Sequence, residues 1–496
     1  DVVLDMFRSP LFEGEVSGWA AEATSLLAEF ERMRRVIADT EGCIDLIVQL
    51  CSSKVLVYQE QACSALVTLL LDSRARELAN DAGAAVKLSD LLRGSYASSS
   101  ARRCAALAVA RLCSDHSAQV SALLAGALPP LVEMLGKEQE QEWYCACDAL
   151  SSLSFADTNK QMLGRAGVVQ IALKRLTTSA PRAVQVRALT VVSNVISDQS
   201  NLDSAAASGI LPALSIMARD SSDDLVLQYL SITLQTLSRA LRHLPTMVEE
   251  GLVACLFGVL ERCCAGGAMA GSECASTVRM CLGGILLSLC KVDGLRESMV
   301  EKGTFEVATK LMASPENQVK SLALTIVALL SGPRDAWKDA AREAGCVPLV
   351  AHLVRSKHLM VRLEAASAVR ALAPNVENKR LLVEEGAIHG LRDMLDLQQP
   401  EAKHRASEAL YRLSNNEANG LDLYRAGALR PIVGLLSSKA PADRTLKPRA
   451  ADTLGRVAQI HVWDTRPEAL QIGAVPALGG ALDDLAVAGD DDGRSR

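Results

Sequence analysis

The sequence predicts an all-α chain built by repetition, a solenoid of about ten to eleven three-helix units, and three observations predict it. Glycines recur at 42, 83, 126, 167, 209, 251, 303, 345, 386, 427 and 473, with successive spacings of 41, 43, 41, 42, 42, 52, 42, 41, 41 and 46 residues; self-similarity at such a period marks a repeat architecture. Apolar residues within each unit follow the helical period of about 3.6 and not the strand period of 2. Hydrophobic residues make up 49% of the chain but aromatics only 3%, so the interior is Leu, Val, Ile and Ala, which suits helices packed closely in layers. At 496 residues the chain also exceeds the usual size of one compact core, and repetition is one way to grow past it.

Each unit shares one grammar. Asn159 to Gly167 is a short helical stretch ending in glycine, followed by the apolar Val168 to Leu176, a polar turn and a longer apolar helix over 183–196. Glu377 to Gly386, the segment after it, and Glu401 to Leu413 repeat the pattern. Glycine at the junction lets the first helix end abruptly in a left-handed conformation, which has no steric cost only without a Cβ. Pro129, Pro212, Pro348, Pro431 and Pro476 fall in the first turn of the second helix, where a missing N–H is harmless. In the last full third helix Ala450, Ala451, Leu454 and Val457 share one side, and Arg449, Asp452 and Arg456 another.

These units resemble the armadillo repeat family. The matching segments are Ala125-Gly-Ala-Leu-Pro-Pro-Leu-Val-Glu-Met-Leu135, Ala426-Gly-Ala-Leu-Arg-Pro-Ile-Val-Gly-Leu-Leu436 and Ala406-Ser-Glu-Ala-Leu-Tyr-Arg-Leu-Ser414. The resemblance implies a right-handed superhelix whose third helices line an inner, partner-binding surface.

The expected organisation is an N-terminal extension over 1–15, the solenoid over 16–485 and an acidic, disordered tail over 486–496. Helices are expected over 19–27 and 30–39, a third and a first helix, so the solenoid starts within a unit; after Gly473 a lone second helix runs to about Leu485. The spacing of 52 places an insertion at 263–273, expected as a tolerated surface insertion, the alternative being a flexible loop able to carry a partner contact.

Composition sets exclusions. A net charge of −6 speaks against a general nucleic-acid binder, which needs a cationic excess. No run of about 18 uncharged apolar residues stands out, so no membrane insertion is expected. Fourteen cysteines sit in apolar helical stretches, as reduced thiols do in the cytoplasm or nucleus. Cys145 and Cys147 lie about 200° apart on a helix, too far round to grip one metal ion, and Cys263-Cys264 has no Cys-x-x-Cys partner. The glycine-rich insertion lacks the Lys-Ser/Thr of a phosphate loop, and the seven histidines are scattered over different repeats. The expectation is a non-enzymatic scaffold or adaptor with no cofactor, binding protein partners.

The inward polar position lies fifteen residues before each glycine: Thr68, Arg111, Ser152, Asn194, Thr236, Ser288, and then, approximately, Leu329, Ala371, Arg412 and Arg456. Only Asn194 keeps the Asn that peptide-binding members of the resembled family use to clamp a ligand backbone. The Trp that import adaptors place one turn earlier is missing, and Trp143 is off the pattern, which disfavours a receptor for basic import signals. Two late units share Arg405, Glu408, Arg412 and Arg449, Asp452, Arg456, spaced so that each acid pairs with either Arg of its own helix. One reading is a solvated face of self-paired charges; the other is a cationic stretch of groove for an acidic or extended peptide, as in adhesion-linked members of the family. Targeting modules of ubiquitin ligases and chaperone modules with armadillo repeats are the alternatives.

Overall fold

The computed structural model describes residues 15–94, 97–174, 176, 180–264, 267–415, 417–458 and 470–482; all but the last residue of the expected N-terminal extension over 1–15, the tail over 486–496 and the end of the last helix near Leu485 lie outside them. Among the described residues all regular structure is helical. The eleven phasing glycines all have positive φ, from 71° to 95°, and no other described residue does.

At Gly126 and Gly427 the cap is the two-bond kind. Gly126 N–H donates to Leu123 O and Ala127 N–H reaches back to Ala122 O at 3.1 Å, with Ala428 to Leu423 O the same, the bond that closes a helix on a left-handed residue. At Gly83, Gly209 and Gly386 the same residue opens the second helix as its N-cap. Tight phasing follows at those repeats, because one glycine both stops a helix and starts the next; after Gly126 and Gly427 the N-cap is the following alanine.

The chain divides into two compact units, Asp1–Cys255 and Leu256–Arg496. In the first, the third helices Glu15–Leu27, Leu56–Leu69, Ser99–Leu112, Glu140–Leu153, Arg182–Val195 and Asp224–Leu237 pack each on the next, and each later one covers its own second helix. In the second the same order holds for Glu273–Lys291, Asn317–Ser331, Leu359–Leu372, Pro400–Leu413 and Lys447–Ala458. The buried faces are Ala, Leu and Val, for example Ala365, Ala366, Ala368 and Val369 at 0% exposure. Trp143, also at 0%, is a core residue and no part of a groove.

Polar clamps join neighbouring repeats. Asn159 Nδ2 donates to Leu153 O and to Gln119 O of the preceding first helix; Asn201 Nδ2 donates to Val195 O and to Lys160 O at 2.6 Å. In the second unit Asn378 Nδ2 reaches Lys338 O at 2.8 Å. Second helices add their own clamp to the carbonyl just before the next glycine: Arg93 to Ala125 O, Thr309 to Ala344 O, Arg392 to Ala426 O. Each satisfies a helix-end carbonyl that would otherwise lack a partner.

Between Cys263 and Glu273 the described part of the insertion is a non-helical surface segment, with Ala268, Ala270 and Gly271 exposed, and it is anchored: Met269 is 2% exposed, its N–H donates to Arg262 O, and its sulfur lies 3.7 Å from Cys263 Sγ. Part of the added length becomes helix, since Glu273–Lys291 has 19 residues where Asp224–Leu237 has 14. Buried Arg279 then ties the insertion down, donating to Cys263 O at 2.5 Å and to Glu316. Glu273–Lys291 is also long and apolar enough, by length and composition, to cross a membrane, although Arg279 interrupts its apolar run. In the fold its apolar residues Val278, Leu282, Ile285 and Leu289 are buried in the repeat core.

Candidate partner-binding surface

The ten aligned positions, eight of them fifteen residues before a glycine, with Leu329 sixteen and Arg456 seventeen before theirs, all fall in the third helices. All but Ala371 are half-buried or exposed, so the register identifies an accessible row. Its chemistry differs between the units.

In the first unit Asn194 is half-buried and its Nδ2 has no hydrogen-bond partner among the described residues. Arg111 is half-buried with no ion pair among them. The two lie two repeats apart and are not brought together. Between them in sequence, Arg187 forms an ion pair with Asp148 at 2.5 Å and lies 5.4 Å from the centroid of the Tyr144 ring. Burial opposes the Arg187 charge, but Asp148 and the Tyr144 hydroxyl hold its pKa above the ordinary value.

In the second unit four of the six late charged residues, Glu408, Arg412, Arg449 and Asp452, converge, while Arg405 and Arg456 do not line the same cavity. A cavity of about 380 Å³ opens between Leu359–Leu372, Pro400–Leu413 and Lys447–Ala458, lined by Arg370, Glu408, Tyr411, Arg412, Arg449 and Asp452 beside Pro448. The pairing inside it departs from the expected one. Glu408 pairs with neither Arg405 nor Arg412 of its own helix; its carboxylate meets Arg449 Nη1 at 2.9 Å, Arg370 Nε at 3.6 Å and His404 Nε2 at 3.9 Å. The reason is stacking: adjacent third helices bring guanidinium groups of the flanking repeats to Glu408, while Arg405 is drawn away. Arg405 bonds Glu364 at 2.8 Å, Ser367 Oγ, Leu363 O and Glu401. Burial opposes its charge, and the Glu364 and Glu401 carboxylates more than offset that, leaving its pKa raised.

Asp452 behaves as the spacing predicts, pairing with Arg456 at 3.1 Å. Arg456 is itself held by the preceding repeat, 4.3 Å from the centroid of the Tyr411 ring, with Nη2 donating to the Tyr411 hydroxyl at 3.0 Å and Nη1 to Tyr411 O. Arg412 is exposed and has no ion pair among the described residues. Three guanidinium groups thus face two carboxylates at the cavity, and one of those, Asp452, is already committed to Arg456. The result is a cationic excess beside an aromatic wall.

Sequence reasoning missed Arg370 and Tyr411. Both stand one residue before the aligned row, sixteen before Gly386 and Gly427, so a second row at that register would have found them. Among the described residues no three His, Cys, Asp or Glu side chains converge as metal ligands. The cysteines are free thiols, and burial pushes Cys113 and Cys290 up to about 12 and Cys145 up to about 11, so these are core groups and not activated nucleophiles.

No family model matches the chain. A stretch of 148 residues, 29% of the chain, is 28% identical to the armadillo repeat-containing protein gudu of Drosophila melanogaster, and the match spans 22% of that protein's length. Over 92% of the chain the fold superposes on a crystal structure of an engineered protein, covering 99% of it with a TM-score of 0.57 and 20% identity. Over the same share it superposes, with a TM-score of 0.69 and 16% identity, on 91% of a chain from work on the phosphorylation switch that controls the interaction between cadherin and beta-catenin. The repeat grammar, the curated relative and the solved neighbour agree: this chain is similar to the armadillo-repeat proteins and has their all-α solenoid fold.

Proposed function

We propose that this chain is a non-enzymatic scaffold that docks an acidic segment of a partner protein along its third helices, centred on the cavity around Glu408 and Arg412. The observation that carries this reading is the exposed Arg412, without an ion pair among the described residues, at the mouth of a cavity that already gathers Arg370 and Arg449. A guanidinium offers a planar fork of donors suited to carboxylates, and a charged partly enclosed cleft favours oppositely charged ligands in rate as well as affinity. The neighbour from the cadherin and beta-catenin work supports protein docking on this fold. Fourteen free thiols fit a reducing compartment, the cytoplasm or nucleus.

The test is Arg412→Glu against a fluorescein-labelled peptide of alternating glutamate and serine. Because Arg412 is exposed and holds no carbonyl, the variant keeps its helical content and melting while the peptide binds about tenfold more weakly. Arg456→Glu is a poorer probe, since Arg456 also holds Tyr411. Equal binding by the Arg412 variant places the docking surface elsewhere.

A further inference from the structure

We infer that Glu408 is an internal competitor for the acidic group of the ligand, occupying the guanidinium groups of Arg370 and Arg449 and so setting the affinity of the cavity. The inference rests on the docking reading above and adds a specificity-determining residue to it.

The argument starts from whose acid this is. Glu408 is presented by the central helix of three, and its two arginine partners come one from each flanking repeat. It therefore sits where a ligand carboxylate would have to sit to bridge the same two arginines. Both pairs are loose in the sense that matters for exchange: the Arg370 and Arg449 side chains are 48% and 41% exposed, and the Arg370 contact is 3.6 Å long. Pairs this exposed are weak, since water competes for both charges, so an incoming carboxylate can replace Glu408 at little cost.

The other carboxylates nearby are held differently. Glu364 and Glu401 fix Arg405, which is 24% exposed and carries further bonds to Ser367 and Leu363 O. Asp452 is tied to Arg456, itself locked on Tyr411. Glu408 alone bridges guanidinium groups that the structure ties to nothing else, because Arg370 and Arg449 make no other ion pair among the described residues. Removing its charge leaves three unpaired guanidinium groups, Arg370, Arg412 and Arg449, at one cavity.

The experiment titrates the same glutamate–serine peptide into the wild-type chain and into Glu408→Gln, Glu401→Gln and Arg412→Glu. Glu408→Gln is expected to bind about fivefold tighter, the factor set by one partly exposed ion pair. Glu401→Gln removes an equal charge from the same helix outside the cavity and is expected to match wild type. Glu408→Ala repeats the test without the hydrogen-bonding amide. Unchanged or weaker binding by both Glu408 variants overturns the inference while the loss in Arg412→Glu keeps the docking reading. An equal gain in Glu401→Gln overturns it as well, by showing a net-charge effect. Wild-type binding by Arg412→Glu overturns both.

Discussion

The ion pair that anchors the insertion gives a quantitative prediction for Glu316→Gln. Glu316 accepts from Arg279 and Ser314; burial would raise its pKa, but these bonds hold it at about 2 against the ordinary 4.5. At about 1.36 kcal/mol for each pH unit, that depression sets a ceiling of about 3.4 kcal/mol. The Glu316 side chain keeps 23% exposure, so solvent screening brings the expected loss to about 1–2 kcal/mol. A depressed carboxyl contributes stability that is fully present above its unfolded pKa and is lost as pH falls through the folded one. The variant should therefore be weaker than wild type by the full amount at pH 7 and down to about 4.5, with the gap closing as pH approaches about 2. Urea unfolding followed by circular dichroism measures the gap, and hydrogen exchange within Glu273–Lys291 localises it. The double change Arg279→Met with Glu316→Gln should recover much of the loss, because the cost of the single change lies largely in leaving a buried guanidinium unpaired. Equal stability at pH 7, or a gap that does not close in acid, would refute the reasoning.

Two further changes test how the repeats are fastened. Met269→Ala should cost about 2–3 kcal/mol, a buried thioether lost from a packed site, and open residues 267–272 to limited proteolysis; resistance equal to wild type would show that the insertion is held without its plug. Gly164→Ala should destabilise the first unit by about 1–2 kcal/mol although alanine is the better helix former by about 1 kcal/mol, because a Cβ there would stand 1.8 Å from Asn201 Oδ1; a raised melting temperature would contradict it.

The fold was legible in the sequence because its main constraint is a backbone one. A left-handed junction between first and second helices admits glycine with no penalty and other residues only with strain, so the repeat prints one glycine per unit whatever else varies. The helix boundaries followed: 183–196 was expected and Arg182–Val195 is found, Glu401–Leu413 was expected and Pro400–Leu413 is found. The insertion was legible as a length and not as a structure, since nothing local announces that Met269 turns inward and that the next helix gains length.

The site was half legible, and the reason lies in the geometry of stacking. Spacings of three and four along one helix give the acid–base pairs that helix could make by itself, which found Asp452 with Arg456. They say nothing of a neighbour some forty residues away that lies at a similar distance in space, and for Glu408 those neighbours win: Arg370 and Arg449 lie 38 and 41 positions off and take the carboxylate that Arg405 and Arg412 were expected to share. The same blindness hid Asn201, whose amide bonds a carbonyl 41 positions earlier through the space left by Gly164. In a repeat protein the period is thus itself a contact rule. A residue and its counterpart one period away are spatial neighbours, so charges aligned near the period pair as well as charges spaced by a helical turn, as Arg76 with Asp115 and Arg187 with Asp148 do, and it is the competition between the two that leaves Arg412 without an ion pair among the described residues.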